Sequence, residues 1–283
     1  VSIARFSDIS LKGYDGGQNC VSSFRKVASN ASVQGVWCDL SSAPGNPKPN
    51  YYVGAELAFT TLDGSLGLYH GGNVSPSDKS LHKFLIGSQS AGAAPATFML
   101  CDYLGFYPLV DMDSTDPQVT TNAVTLPRYA TGAGVEMILV ATNPYAGGAQ
   151  FYVDYTSADG LPRQSFLETS NSTTFIGTVV HAAPPTTIGG KLFIRRPRDC
   201  RGVRSVQGIT FLAPNGGLAA LVLVRPIASM MLNEIGAYAE HIFAEDRKTI
   251  PRVYDGAYLN LFCMPNGSVA AAPINGIITT IWN

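Results

Sequence analysis

From residue 98 onward the chain is a succession of short apolar runs, each cut off by a turn-forming dipeptide. The runs are Phe98–Tyr107, Val135–Thr142, Gln150–Thr156, Thr174–Val180, Val206–Leu212, Leu218–Val224, Tyr258–Met264 and Ile274–Trp282. Between them stand Asn143-Pro144, Gly147-Gly148, Asp159-Gly160, Pro184-Pro185, Asn215-Gly216 and Asn266-Gly267. Proline removes a donor and fixes φ, and glycine supplies positive φ, so these breaks read as turns. Runs of this length, rich in β-branched and aromatic residues and interrupted this often, are too short for a helical bundle. They predict a mainly β protein with an antiparallel β-sandwich or jelly-roll-like domain. In Gln150–Thr156, Phe151, Val153 and Tyr155 alternate with polar residues, the pattern of a strand buried on one face.

The first fifty residues have a different texture. Asn19 is placed to cap a short helix carrying Val21, Phe24, Val27 and Ala28 on one face. Val33–Leu40 reads as a strand around Trp37. Ser41–Asn50 holds Pro44, Gly45, Pro47 and Pro49 and marks a boundary. The expected organisation is therefore an N-terminal arm or anchoring segment, residues 1–50, followed by a β-rich sandwich over 51–283, or one continuous domain. Tyr51–Leu62 and Leu66–Tyr69 flank Asp63-Gly64 as a hairpin would. In Ala228–Ala244, Met231, Leu232, Ile235, Tyr238, Ala239, Ile242 and Phe243 recur at helical spacing, and Gly236 opposes that helix by about 1 kcal/mol. A pattern T-[LI]-P-R with a following Tyr occurs twice, at Thr125–Tyr129 and Thr249–Tyr254.

Charged residues make up 14% of the 283, against about 25% in ordinary domains, and the formal net charge is −1. A hydrophobic content of 46% excludes a disordered chain, and the even charge balance excludes a globally basic nucleic-acid binder. No apolar stretch reaches the length of a membrane helix, and Val1–Asp8 lacks the apolar region of a signal peptide. The five cysteines have no metal or redox spacing and read as reduced thiols.

The sequence offers no catalytic motif. Ser90 has Gly92 two residues on, but position 88 is Ser, so the nucleophile elbow is incomplete. His70, His82, His181 and His241 share no metal spacing. Asp111, Asp113 and Asp116 resemble a calcium loop only at its start: the sixth and twelfth positions are Asp116 and Asn122, where Gly and Glu are needed. No catalytic, cofactor-binding or metal residue is assigned, and no cofactor is expected. One concentration of charge stands out. Lys191–Arg204 holds Lys191, Arg195, Arg196, Arg198, Arg201 and Arg204 with Asp199 as its only acid. Phe193 is its only aromatic, too little for base stacking, so direct nucleic-acid binding is not expected. Arg195, Arg196, Arg198, Arg201 and Arg204 are the expected partner contact, because arginine suits protein interfaces.

Three segments carry a family resemblance: Met137–Gly160 (MILVATNPYAGGAQFYVDYTSADG), Ile209–Pro226 (ITFLAPNGGLAALVLVRP) and Pro251–Leu261 (PRVYDGAYLNL). In texture and segment order, across residues 98–270, the chain resembles head and virion structural proteins of tailed bacteriophages. The resemblance implies a non-enzymatic virion component, foremost a capsid decoration or cement protein. Its partners would be copies of itself and other virion proteins such as the major capsid protein, and it would be assembled in the host cytoplasm. Other readings are a tail, baseplate or fibre protein, a eukaryotic-virus jelly-roll capsid protein, and a β-sandwich hydrolase.

Overall fold

The computed structural model describes residues 3, 6–27, 32–90, 94–121, 124–172, 175–182, 191–246, 250–267, 269 and 271–283. The chain is mainly β, with antiparallel sheets packed face to face and a short helical segment near its start. Among the described residues the sheets number three. The first has the order β14 (Tyr238–Ile242), β5 (Lys79–Ser88), β17 (Pro273–Trp282), β1 (Asn19–Val27), β3 (Gly45–Asn46), with β15 (Arg252–Val253) also on β5. The second, central sheet runs β2 (Cys38–Asp39), β16 (Leu259–Pro265), β6 (Ala96–Asp111), β13 (Leu218–Leu232), β8 (Glu136–Ala141), with β4 (Thr60–Thr61) on β6. The third runs β10 (Pro162–Gln164), β9 (Gln150–Ser157), β12 (Val203–Phe211), β7 (Gln118–Val119), with β11 (Glu168–Thr169) on β9.

The central sheet exists because β6 and β13 are apolar on both faces, the mark of a strand covered on two sides. One face of β6 gives Phe98 and Leu100 to a core shared with Phe84, Ile86, Ile274 and Ile278 of the first sheet. Farther along, the same face gives Leu104, Tyr107 and Val110 to a core with Phe151, Val153, Val206 and Phe211 of the third sheet. The opposite face presents Cys101, Tyr103 and Phe106 to Trp37, Tyr52 and Leu62 on connecting segments. Register shifts between Ala219/Leu221, Leu223/Val224 and Pro226/Ala228 let the two long strands bend while keeping their faces. Phe98 is fully buried, and its truncation to Ala would cost about 3–5 kcal/mol.

The runs expected in β6, β8, β9, β12, β13, β16 and β17 are strands, within a few residues of the expected bounds except that β13, expected to end at Val224, continues to Leu232. Several local expectations change. Asn19–Val27 is a strand, not a helix, paired along its whole length from Asn19↔Ile281 to Val27↔Pro273. Its buried positions are Phe24 and Lys26, a period of two. Lys26 obscured that period, and its ammonium is buried because it donates to Ala43 O and Pro47 O, both at 2.8 Å. The segment 1–50, read as an arm, thus supplies β1 and β3 to one sheet and β2 to another; Ala28 lies outside the described residues.

Ala228–Ala244 is likewise not a long helix. β13 continues to Leu232, Gly236 turns the chain at φ +79°, and β14 returns before a single helical turn, α2 (Phe243–Asp246). The helix near the start is α1 (Phe6–Asp8), which runs into a π-helical turn at Ile9–Tyr14. Asp63-Gly64 makes a turn, with Asp63 Oδ1 accepting the Ser65 N–H at 2.9 Å, but the flanking runs form no hairpin. Val33–Leu40 contributes only β2, and Trp37 beside it is buried. From Phe175 to Val180 there are only isolated bridges, Cys38↔Thr178 and Val140↔Val179; Thr174 and Pro184-Pro185 lie outside the described residues.

Candidate functional site: an arginine loop beside exposed apolar side chains

The basic stretch Lys191–Arg204 lies against the β10 and β11 margin of the third sheet. Sequence proximity placed one acid near it; the fold brings two more. Glu168 on β11 is 1% exposed. Its carboxylate accepts from Lys191 Nζ at 3.0 Å and from Arg195 Nε and the Arg195 backbone N–H, both at 2.9 Å. Burial opposes ionisation of Glu168, but these donors outweigh it and hold its carboxyl below the usual range. Glu136, at the start of β8, pairs with the guanidinium of Arg196, Nε to Oε2 at 3.1 Å. Arg196 also donates to Cys200 O at 3.0 Å. On the other side of the loop, Asp199 takes Arg163 of β10 at 2.8 Å.

The five expected contact arginines therefore separate into two groups. Arg195 ties the loop to β11 of the third sheet, and Arg196 ties it to β8 of the central sheet. Arg198, Arg201 and Arg204 are exposed and have no ion pair among the described residues. Sequence reasoning could not make this division, because Glu136 and Glu168 are distant in the chain and lie on strands whose pairing brings them in.

The surroundings are apolar. Phe166 is 50% exposed, and the Arg195 guanidinium lies over its ring at 5.8 Å. Backbone bonds fix this pair: Phe166 N–H to Arg195 O at 3.0 Å, and Arg195 Nη2 to Leu167 O at 2.8 Å. Leu167 and, beyond the β9–β10 turn, Leu161 are also exposed. These exposed apolar groups were not singled out in the sequence; Phe166-Leu167 directly before Glu168 was the available signal. Arginine with aromatic and aliphatic side chains, and few acids, is the composition of a protein-binding surface.

The other chemistry considered in the sequence is placed as follows. Asp111 Oδ1 accepts the Asp113 N–H at 2.9 Å and closes a turn, and Asp113 Oδ1 accepts the Gly216 N–H at 3.1 Å and ties that turn to the loop before β13. His70 and His181 are buried. Each faces a backbone carbonyl through Nε2 at 3.0 Å, Ala257 O and Leu192 O respectively. Burial lowers both to about 4, so both are neutral at pH 7. Among the described residues, no three His, Cys, Asp or Glu side chains gather to hold a metal, and no helix is long and apolar enough to cross a membrane. All five cysteines are free.

Comparison with protein-family models, with curated proteins and with solved structures finds no match to this chain.

Proposed function

We propose that this protein is a structural component of a tailed-phage virion, and within it a decoration or cement protein that binds the capsid through protein–protein contacts. The observation that supports the reading is the surface just described. Arg198, Arg201 and Arg204 stand exposed and without an ion pair among the described residues, in the stretch whose Arg195 lies over exposed Phe166, in a chain with few charges. Unpaired charges are costly to bury, so a subunit covered by neighbours keeps few of them and pairs most within itself. Here Arg128 is paired to Asp102, Lys79 to Asp255, Lys83 to Glu240 and Arg196 to Glu136. The exposed large apolar side chains, including Val53, Tyr51 and Val119 on other parts of the surface, are consistent with contacts on several sides. The textural resemblance to phage head proteins points the same way.

The partners in this reading are further copies of the chain and the major capsid protein, its location is the virion, and no enzymatic step is assigned. The test is to mix purified protein with heads of a tailed phage whose genome encodes it and that lack the protein, then sediment the particles. Stoichiometric retention on heads, with Arg198→Glu/Arg201→Glu/Arg204→Glu reducing it at least tenfold, is the expected result. Failure of the unaltered protein to sediment with heads overturns the decoration reading. Retention on tails alone transfers the protein to the tail or baseplate.

A further inference from the structure

A second site lies where the two T-[LI]-P-R segments meet; it adjoins the end of the basic stretch, where the Gly134 N–H donates to Arg201 O at 2.7 Å, but its lining includes none of the residues 191–204. β8 pairs with β13 only as far as Glu136↔Val224, so beyond Val224 no strand of the central sheet among the described residues continues that side of β13. At that point a cavity of about 430 Å³ opens, lined by Tyr129, Arg225, Pro226, Ile227, Pro251, Arg252 and Tyr254. The rings of Tyr129 and Tyr254 meet edge to face at 4.7 Å. Each carries an arginine on its face: Arg225 over Tyr129 at 5.5 Å, and Arg252 over Tyr254 at 4.4 Å.

Three features mark this arrangement as built to receive something. Arg225 has no carboxylate partner among the described residues; its Nη1 donates to Ala133 O at 3.2 Å, which leaves most of its five N–H groups unused. Its place is reserved by Gly134, at φ +69°, where any Cβ would lie 1.1 Å from that same Nη1. Tyr129 holds a left-handed backbone at φ +53°, a conformation that costs a non-glycine residue on the order of 1 kcal/mol. Arg252 is paired with Asp78, so of the two guanidinium groups only one has an acid among the described residues. Like charges gathered at one cavity repel each other, and an anion relieves that repulsion. The guanidinium fork matches the paired oxygens of a carboxylate or a phosphate, and the cavity volume suits a small molecule.

We propose that this cavity is a binding site for a small oxyanion, a carboxylate or phosphate compound held between Arg225 and Arg252 above the two tyrosines. The inference stands apart from the virion reading: it uses different residues and needs no particle.

The test is calorimetric titration of the full-length protein with inorganic phosphate and, separately, with citrate, each against chloride at matched ionic strength. Saturable binding of one or both anions is expected. Phosphate alone identifies a phosphate ligand, citrate alone a carboxylate ligand, and both a site that reads oxyanion charge. Arg225→Gln and Arg252→Gln should each weaken binding at least tenfold, with Arg198→Gln, which does not line the cavity, leaving it unchanged. Arg252 is an exposed side chain, so its replacement keeps the test open should Arg225→Gln fail to fold. Absence of saturation by either anion overturns the proposal. So does binding that survives both cavity replacements, or binding that disappears with Arg198→Gln.

Discussion

Arg128 and Asp102 form a two-point ion pair, Nε to Oδ2 at 2.8 Å and Nη2 to Oδ1 at 2.7 Å, with both side chains nearly out of contact with solvent. The arginine also donates to Tyr103 O at 3.0 Å and to Leu62 O at 3.2 Å, and Asp102 accepts the Tyr258 N–H at 3.0 Å. The pair thereby joins β6, the segment before β16 and two loops. Arg128 and Arg252 occupy the same place in the two T-[LI]-P-R segments, yet one is a buried tie and the other is 52% exposed at a cavity.

Arg128→Met should leave the Asp102 carboxylate buried and unpaired and cost about 3–5 kcal/mol. Urea unfolding at pH 7 measures it. Adding Asp102→Asn removes the stranded charge and should recover part of the loss. If the double replacement is no more stable than the single, charge burial is not the origin of the cost.

Two buried histidines should make the protein less stable as the pH falls below neutrality. His70 accepts from Lys79 Nζ through Nδ1 at 2.9 Å, and its folded pKa is lowered to about 4 by burial and then by that lysine. His181 is lowered to about 4 by burial. Both have unfolded values near 6.5, so between pH 6.5 and 4 the unfolded chain binds more protons than the folded one. Stability therefore falls as pH drops through that window, by on the order of 3 kcal/mol for each histidine across its full width. Unfolding midpoints at pH 7, 5.5 and 4.5 report the slope, and His181→Gln should flatten it.

Gly134→Ala should be poorly tolerated for two reasons that act together, positive φ and overlap with the Arg225 guanidinium. The expected cost exceeds about 1 kcal/mol, the amount a strained left-handed alanine alone brings. Gly148→Ala is the matched control. It shares positive φ, at +89°, but a Cβ there meets nothing within 4 Å, so the difference between the two variants isolates the guanidinium overlap.

Glu168→Gln should release the arginine loop without unfolding the sandwich. Lys191 and Arg195 keep some access to water and so tolerate losing their acid, and the cost should be about 1–3 kcal/mol. Faster tryptic cleavage after Arg195 or Arg198 at an unchanged far-ultraviolet circular dichroism spectrum is the expected outcome. Unchanged cleavage would show that Glu136 and the backbone bonds hold the loop unaided.

The sandwich class was legible because its central strands are apolar without interruption, as in Leu218–Val224, and its outer ones alternate, as in Gln150–Thr156. What was hidden lies where a polar side chain is buried. β5, which lies between β14 and β17 in the first sheet, contains Lys79, Ser80, His82 and Lys83 and passed unnoticed as a strand. Lys79 is buried there because His70 and Asp255 receive its ammonium, and Asp255 is far from it in sequence. The same blindness applied at the arginine loop, whose neutralising acids arrive from β8 and β11. Helical spacing in Ala228–Ala244 misled because a strand, a glycine turn and a second strand placed apolar residues at intervals that a helix also satisfies.

The pairing of β1 with β17 bears on how the protein is made. Residues 19–27 emerge from the ribosome long before residues 273–282, their partner along the whole length of the strand. On its other side β1 meets only the two residues of β3. Until synthesis reaches β17, β1 presents an unsatisfied row of backbone donors and acceptors, and β5, which pairs with β17 across nearly its full length, lacks the same neighbour. Such long-range closure slows folding and leaves open edges that nascent neighbours can capture. Expression at reduced temperature, or with chaperones that shield extended segments, is the natural route to soluble protein.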